Sequence, residues 1–308
     1  MSHAQNIQWF PGHMAKTRRK IGESLSLVDA VAEIVDARIP AGSRNPELAG
    51  ILAGKPALIL LNKADLADPA ATAAWMQKYK SEKILPMQVD CKTGRGLREF
   101  RPAVRQLLAD RLEQYRKKGM EGKPLRVMVV GIPNVGKSSF INRLAGGSRA
   151  KVEDRPGVTR GNQWFKVADD LELLDTPGVL WPKFDDPAVG ERLAFTGAIK
   201  DQVVDTETLA AALLAYLGRR YASLLQGRYG FSPADIPLEE DDMLLAEDTG
   251  GTDGKEIRWG YAMLTAIGER RRMFISGGEV DTARAAAILL DEFRSGKLGR
   301  ISLEWPEG

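Results

Sequence analysis

Cysteine is nearly absent: Cys91 is the only one in 308 residues. No internal disulfide and no cysteine-ligated zinc site can form, and a reducing compartment fits. Long apolar runs are missing too. None approaches the roughly 20 residues needed to span a bilayer, so no membrane partner is expected. The N-terminus, Met1-Ser2-His3-Ala4-Gln5-Asn6, lacks the apolar core of a signal peptide, and the expected location is the cytoplasm. Neither sign of charge dominates: the formal net charge of +3 implies no partner by itself. No internal repeat is visible.

The composition is that of a globular chain, with 44% hydrophobic and 28% charged residues. At roughly 150 residues per domain, the length suggests about two domains, and the chain is expected to act as a monomer. Strands are expected at Ala30 to Asp36, Ala57 to Leu61, Ile84 to Val89, Leu125 to Val130, Gln163 to Val167 and Leu171 to Leu174. Pro86 weakens the third of these. A helical pattern surrounds Ala70 to Lys80. A long amphipathic one runs from Leu97 through Phe100, Val104, Leu107, Leu108 and Leu112 toward Lys118. Strands alternating with helices predict an α/β fold with a mostly parallel sheet. After about Pro187 helical periodicity takes over, at Glu207 to Leu225, Ile257 to Arg272 and Glu279 to Phe293, with an acidic, Gly-rich stretch at Glu239 to Gly254. The expected division is 1–184 for the α/β domain and 185–308 for an all-helical domain.

The strongest chemical signal is Gly131-Ile132-Pro133-Asn134-Val135-Gly136-Lys137-Ser138, a G-x-x-x-x-G-K-S phosphate loop between an apolar strand and a helix. Its glycines let the N–H groups of Asn134, Val135, Gly136, Lys137, Ser138 and Ser139 close around phosphate oxygens at a helix N-terminus. Lys137 is expected to reach the β- and γ-phosphates, and Ser138 to hold Mg²⁺. The alternative is a glycine-rich turn with a coincidental lysine. Asn62-Lys63-Ala64-Asp65 follows a strand, at the sheet end where such folds bind ligands. The Asp65 carboxylate suits guanine N1–H and N2–H₂, a donor pair adenine lacks. Asn62 is expected to brace the loop, and the Lys63 stem to cover the base. Asp175-Thr176-Pro177-Gly178 matches the D-x-x-G switch, with Asp175 ordering Mg²⁺ through water and Gly178 N–H meeting the γ-phosphate. Thr159, between the two motifs, is the expected switch threonine on Mg²⁺. Asp90-Cys91-Lys92-Thr93-Gly94 stands where GTPases carry S-A-K. Its Asp and Cys depart from that pattern, and its backbone remains a contact for the guanine carbonyl.

The base-reading signature precedes the phosphate loop, the reverse of the Ras-like order. The chain therefore resembles the circularly permuted GTPases. Trp9-Phe10-Pro11-Gly12-His13-Met14-Ala15-Lys16, Asp36-Ala37-Arg38-Ile39-Pro40 and Asp175-Thr176-Pro177-Gly178-Val179-Leu180-Trp181-Pro182 resemble the ribosome biogenesis GTPase A family over residues 7 to about 200. That resemblance implies GTP binding and hydrolysis to GDP, late assembly of the large (50S) ribosomal subunit, and a helical domain contacting rRNA, with ribosomal proteins as further partners. Relatives with an N-terminal OB domain and a zinc site do not fit, since this chain has neither the length nor the cysteines.

Ras-like enzymes place a water-orienting Gln after D-x-x-G; here Val179 stands there and cannot polarise water. The family pattern implicates His13 instead, and the competing reading packs His13 beside Trp9 and Phe10. Asn134 matches the asparagine of potassium-activated GTPases, whose carbonyl oxygen helps hold K⁺ near the phosphates; the competing reading is an Asn tolerated in a tight turn. The permutation leads the chain from the D-x-x-G switch through Trp181-Pro182-Lys183 into the helical domain, so a γ-phosphate contact at Gly178 has a direct route to it. Lys16, Arg18, Arg19 and Lys20, then Arg219, Arg220 and Arg228, then Arg270, Arg271 and Arg272, form the candidate RNA footprint, or simply solvated faces. Trp259, Met263 and Ile267 at helical spacing are expected in the core. Two rival functions stand: an RNA-binding assembly factor with little hydrolysis, and a regulatory GTPase acting on a non-ribosomal protein.

Overall fold

The computed structural model describes residues 13–52, 54–146, 163–181, 184, 186–236 and 254–306. By internal contacts the chain divides into two units. One comprises Phe10–Pro182 and Ser302–Gly308; the other includes Lys183–Ile301. The expected two-piece division placed the last residues with the helices, whereas 302–306 lie with the sheet.

The sheet-bearing unit holds α1 (His13–Ser24), β1 (Ala30–Asp36), α2 (Pro46–Leu52), β2 (Ala57–Asn62), α3 (Pro69–Tyr79), β3 (Ile84–Gln88), α4 (Phe100–Leu107), α5 (Ala109–Lys117), β4 (Leu125–Val130), α6 (Lys137–Leu144), β5 (Gln163–Ala168) and β6 (Leu171–Asp175). The six strands lie in the order β3-β2-β1-β4-β6-β5. All neighbours run parallel except β5 against β6. The chain starts at the centre with β1, winds outward to β3, then restarts at β4 and winds the other way. The switch point between β1 and β4 is where open α/β sheets bind ligands, and the phosphate loop follows β4 there.

The central strands β1 and β4 form where the sequence is apolar and rich in β-branched residues. All seven residues of β1 are buried, as central parallel strands require. Pro86 is accommodated because β3 is an edge strand, paired only with β2. The amphipathic stretch from Leu97 is not one helix: it breaks at Leu108, whose φ of −108° and ψ of 26° leave the helical region. Asp-Pro pairs start two of the helices. Asp68 accepts the N–H groups of Ala70 and Ala71 ahead of Pro69, and Asp186 accepts that of Ala188 ahead of Pro187.

The second unit contains α7 (Pro187–Phe195), α8 (Thr206–Arg220), α9 (Ala222–Tyr229), α10 (Gly254–Arg270) and α11 (Thr282–Ser295). Its core is α8, whose Leu209, Leu213, Leu214 and Leu217 are buried, with Met263, Leu264 and Ile267 of α10 and Leu289, Leu290 and Phe293 of α11. Met263 and Ile267 are thus core, as their spacing predicts. Trp259 is half-buried and donates its Nε1–H to Ile236 O at 3.2 Å.

One buried carboxylate ties this unit together. Glu292 of α11 accepts from Arg228 Nε at 3.1 Å, Tyr229 Oη at 2.8 Å and Arg271 Nη1 at 2.9 Å. Burial alone would raise its pKa, but hydrogen bonds from Arg228, Arg271 and Tyr229 outweigh it and bring the pKa down to about 2. Its stabilising contribution is therefore complete above the ordinary value of 4.5 and is lost as pH falls toward about 2. Glu292→Ala should cost about 3 kcal/mol in urea unfolding, because two arginines lose their partner. The deficit should shrink across that acid window. A variant as stable as the parent would show that the cluster contributes nothing net.

Candidate nucleotide site

Four loops leave the carboxyl ends of β1, β2, β4 and β6, and a fifth follows β3. The loop after β4 turns at Gly136, whose φ of 102° suits glycine. A Cβ there would also lie 2.3 Å from Asn62 Nδ2. Lys137 opens α6 with a buried side chain, and its ammonium donates to Gly131 O and Ile132 O, both at 3.0 Å. Burial pushes its pKa down to about 8, against the pull of Asp175. Ser138 and Ser139 are half-buried in the first turn of α6, and Asn134 is exposed with φ 61°.

Asn62 joins this loop to the base-reading side. Its Nδ2 donates to Val135 O at 2.6 Å, and its Oδ1 accepts from Cys91 N at 2.9 Å. One side chain thus links the loops after β2, β3 and β4. Lys63 adopts φ 60°, uncommon outside glycine, and its ammonium lies 3.0 Å from Asp36 Oδ2. Asp65 is exposed at the end of the same loop.

The loop after β3 is shaped by the residue that departs from the S-A-K pattern. Asp90 accepts from Lys92 N at 2.8 Å, from Thr93 N at 3.2 Å and from the Thr93 hydroxyl. The Asp side chain therefore closes the turn from inside. Burial, with Asp90 adding to it, pushes the Cys91 thiol up to about 12, so it stays protonated. Lys92 is exposed, and its carbonyl accepts from Arg143 of α6. Neither Arg143 nor Asp90 carried a side-chain role in the motif reading; an exposed Arg late in the helix after a phosphate loop is the one signal for the former.

At the end of β6, Thr176 Oγ1 donates to Val129 O at 2.8 Å, tying this loop to β4. Asp175 is buried, and its Oδ1 has no hydrogen-bond partner among the described residues. Burial raises its pKa to about 6, with Lys137 and the Thr176 N–H opposing. A buried carboxylate oxygen without a hydrogen-bond partner among the described residues, in the field of Lys137, is the donor chemistry that Mg²⁺ takes. Gly178 sits against the phosphate loop: a Cβ on it would lie 2.9 Å from both Lys137 Nζ and Pro133 N. Val179 is 1% exposed, and its carbonyl accepts from Asn45 Nδ2 at 3.1 Å. The position a water-orienting Gln would take is thus packed with aliphatic carbon. His13 is the first residue of α1, and its side chain lies outside the described residues, as does Thr159.

The sequence model for 50S ribosome-binding GTPases matches residues 126–217. Ribosome biogenesis GTPase A of Bacillus licheniformis is 44% identical over 301 residues, 98% of this chain and 99% of its own. This chain belongs to the ribosome biogenesis GTPase A family. The protein of that name from Priestia megaterium is likewise 44% identical, over 97% of both chains. The crystal structure of GNP-bound YlqF from T. maritima shares the fold, with a TM-score of 0.58 over 95% of this chain and 99% of that one at 23% identity. As a member of the ribosome biogenesis GTPase A family, the chain is a GTP-hydrolysing enzyme on a circularly permuted GTPase fold.

Much of the basic footprint expected on the helical unit of this ribosome biogenesis GTPase A relative is used internally. Arg228 and Arg271 hold Glu292, Arg219 pairs with Glu256 at 2.5 Å, and Arg270 donates to Gly230 O at 2.8 Å. Arg220 and Arg272 are exposed. On α1, Arg19 pairs with Glu23 at 2.9 Å. No helix among the described residues is long and apolar enough to cross a membrane.

Proposed function

We propose that this chain assists late assembly of the large ribosomal subunit, its nucleotide state controlling binding to subunit rRNA and proteins, and hydrolysis triggering release. The observation that carries the nucleotide half is Asn62 bridging Cys91 N and Val135 O, which sets a base-reading loop against a phosphate loop. The ribosomal half rests on relatives named for ribosome biogenesis.

In this reading Asp65 accepts the guanine donor pair, the Lys63 stem covers the base, and the Lys92 loop meets the guanine carbonyl. The N–H groups of residues 134–139 cradle the phosphates, Lys137 turns its ammonium from two carbonyls toward the β- and γ-phosphates, and Gly178 N–H meets the γ-phosphate. Ser138 and Asp175, with Thr159, would hold Mg²⁺, which would supply positive charge against that of the phosphates. Because Val179 is packed away, water positioning falls to His13. Sedimentation of the purified protein with ribosomal subunits tests the reading. Association with large subunits in a GTP analogue and release in GDP are expected; association indifferent to nucleotide would refute it.

Buried Val179 also favours a second reading, an RNA-binding assembly factor that hydrolyses GTP slowly unaided. Turnover that stays negligible with large subunits present would select it. Asn134, exposed and held at φ 61°, is the residue of this loop that would hold K⁺, whose charge would offset that developing on the phosphates. Replacing K⁺ by Na⁺ at constant ionic strength should lower turnover about tenfold with little loss of GTP affinity. Asn134→Ala should erase the difference between the salts. Equal wild-type rates in both salts would count against the cation site.

A further inference from the structure

Residues 302–304 return from the end of the helical segment to the sheet-bearing unit and are buried there. Leu303 N donates to Arg38 O at 2.8 Å. The Glu304 carboxylate accepts from Ala41 N at 2.7 Å and Gly42 N at 3.0 Å. Trp75 Nε1 donates to Glu304 O at 3.1 Å, and Asp68 N donates to Ser302 Oγ at 3.1 Å. Besides the α3 contact at Trp75, the tail grips the loop after β1 and the turn that follows Asp65. A glutamate 6% exposed and held by backbone N–H groups is not a solvated terminus.

Both gripped places border the base-reading loop. Arg38 forks onto Asp36, with Nε 2.9 Å from Oδ1 and Nη2 2.7 Å from Oδ2. Asp36 Oδ2 in turn holds Lys63 at 3.0 Å. Burial opposes the Asp36 charge, but Arg38 and Lys63 prevail and hold it well below the usual carboxylate range. Asp68, three residues beyond Asp65, caps α3 while its N–H is held by Ser302. Lys63 keeps its left-handed conformation only while its surroundings enforce it.

We propose that the C-terminal segment Ser302–Glu304 is a positioning element for the guanine-reading loop, fixing Asp36 and Arg38 on one side of Lys63-Ala64-Asp65 and the Asp68 turn on the other. The inference rests on the reading of that loop as the guanine contact.

Full-length Glu304→Ala tests it by two measurements on folded protein: the dissociation rate of GDP, and the ratio of GTP to ITP affinity. Inosine lacks the 2-amino group that Asp65 reads, so this ratio reports the loop's alignment and not overall stability. Release about tenfold faster and a GTP-over-ITP preference narrowed by about the same factor are expected, the size of one charge-assisted hydrogen bond. Glu304→Gln keeps one acceptor oxygen and should recover part of both; it serves as the reporting variant if Glu304→Ala does not fold. A variant that melts earlier yet keeps wild-type release and ratio overturns the positioning role while leaving the guanine reading intact. A wild type with no preference for GTP over ITP overturns both.

Discussion

Lys137→Met is expected to lower GTP turnover by roughly 10²- to 10³-fold while the nucleotide-free protein stays folded. The ammonium is aimed into the phosphate loop, where it donates to two carbonyl oxygens. Methionine keeps the length and the apolar stem but supplies no donor for the charge that develops on the transferred phosphate. Folding should not suffer in proportion, because the ammonium carries a desolvation cost in this position. The direction of its pKa makes this separable. A lysine lowered to about 8 from 10.5 is penalised in its charged form, so the penalty is complete below about pH 8 and fades as pH rises toward 10.5. Wild-type stability relative to Lys137→Met should therefore rise through that window. Turnover within tenfold of wild type would remove this loop from the phosphate site.

The contrast between Lys137 and Glu292 explains which parts of the molecule were legible in the chain. The strands, the phosphate loop and its helix carry local signals: apolar runs, a glycine at positive φ, a lysine one residue on. Each reads correctly because the physics that shapes it acts over a few residues. The Glu292 cluster joins partners 64 and 21 positions apart, and its arginines read as part of an RNA footprint or a solvated face. Nothing in their spacing reveals that a carboxylate on α11 occupies them. The tail is a similar case. Ser302-Leu303-Glu304 is too short for a period of either kind, and its partners lie 229 (Trp75–Glu304) to 265 (Arg38–Leu303) positions earlier. Asp90 is visible in the sequence only as a departure from S-A-K; the structure gives it a purpose, since its two oxygens close the turn. The break at Leu108 has no Gly or Pro at the residue itself to announce it.

Asp65→Asn should weaken GTP binding by roughly 100-fold, from the loss of two charge-assisted hydrogen bonds of about 1.5 kcal/mol each. The same variant should bind xanthosine triphosphate more tightly than the parent does. The two effects have one cause. Guanine presents N1–H and N2–H₂ side by side, and a carboxylate accepts both. An amide offers one acceptor and one donor, so its NH₂ opposes the guanine amino group but meets the 2-oxo group of xanthine. Inverted preference, rather than uniform weakening, is what distinguishes a base-reading residue from one that merely supports the loop. Stability should be unaffected, because Asp65 is exposed while the loop is held by Asn62 and by the Lys63–Asp36 pair beneath it. Competition binding with GTP, ITP and xanthosine triphosphate measures the whole pattern. If the variant keeps its GTP preference, guanine is read elsewhere. The Lys92 loop, whose backbone is already ordered by Asp90 and Arg143, would then be the next place to look.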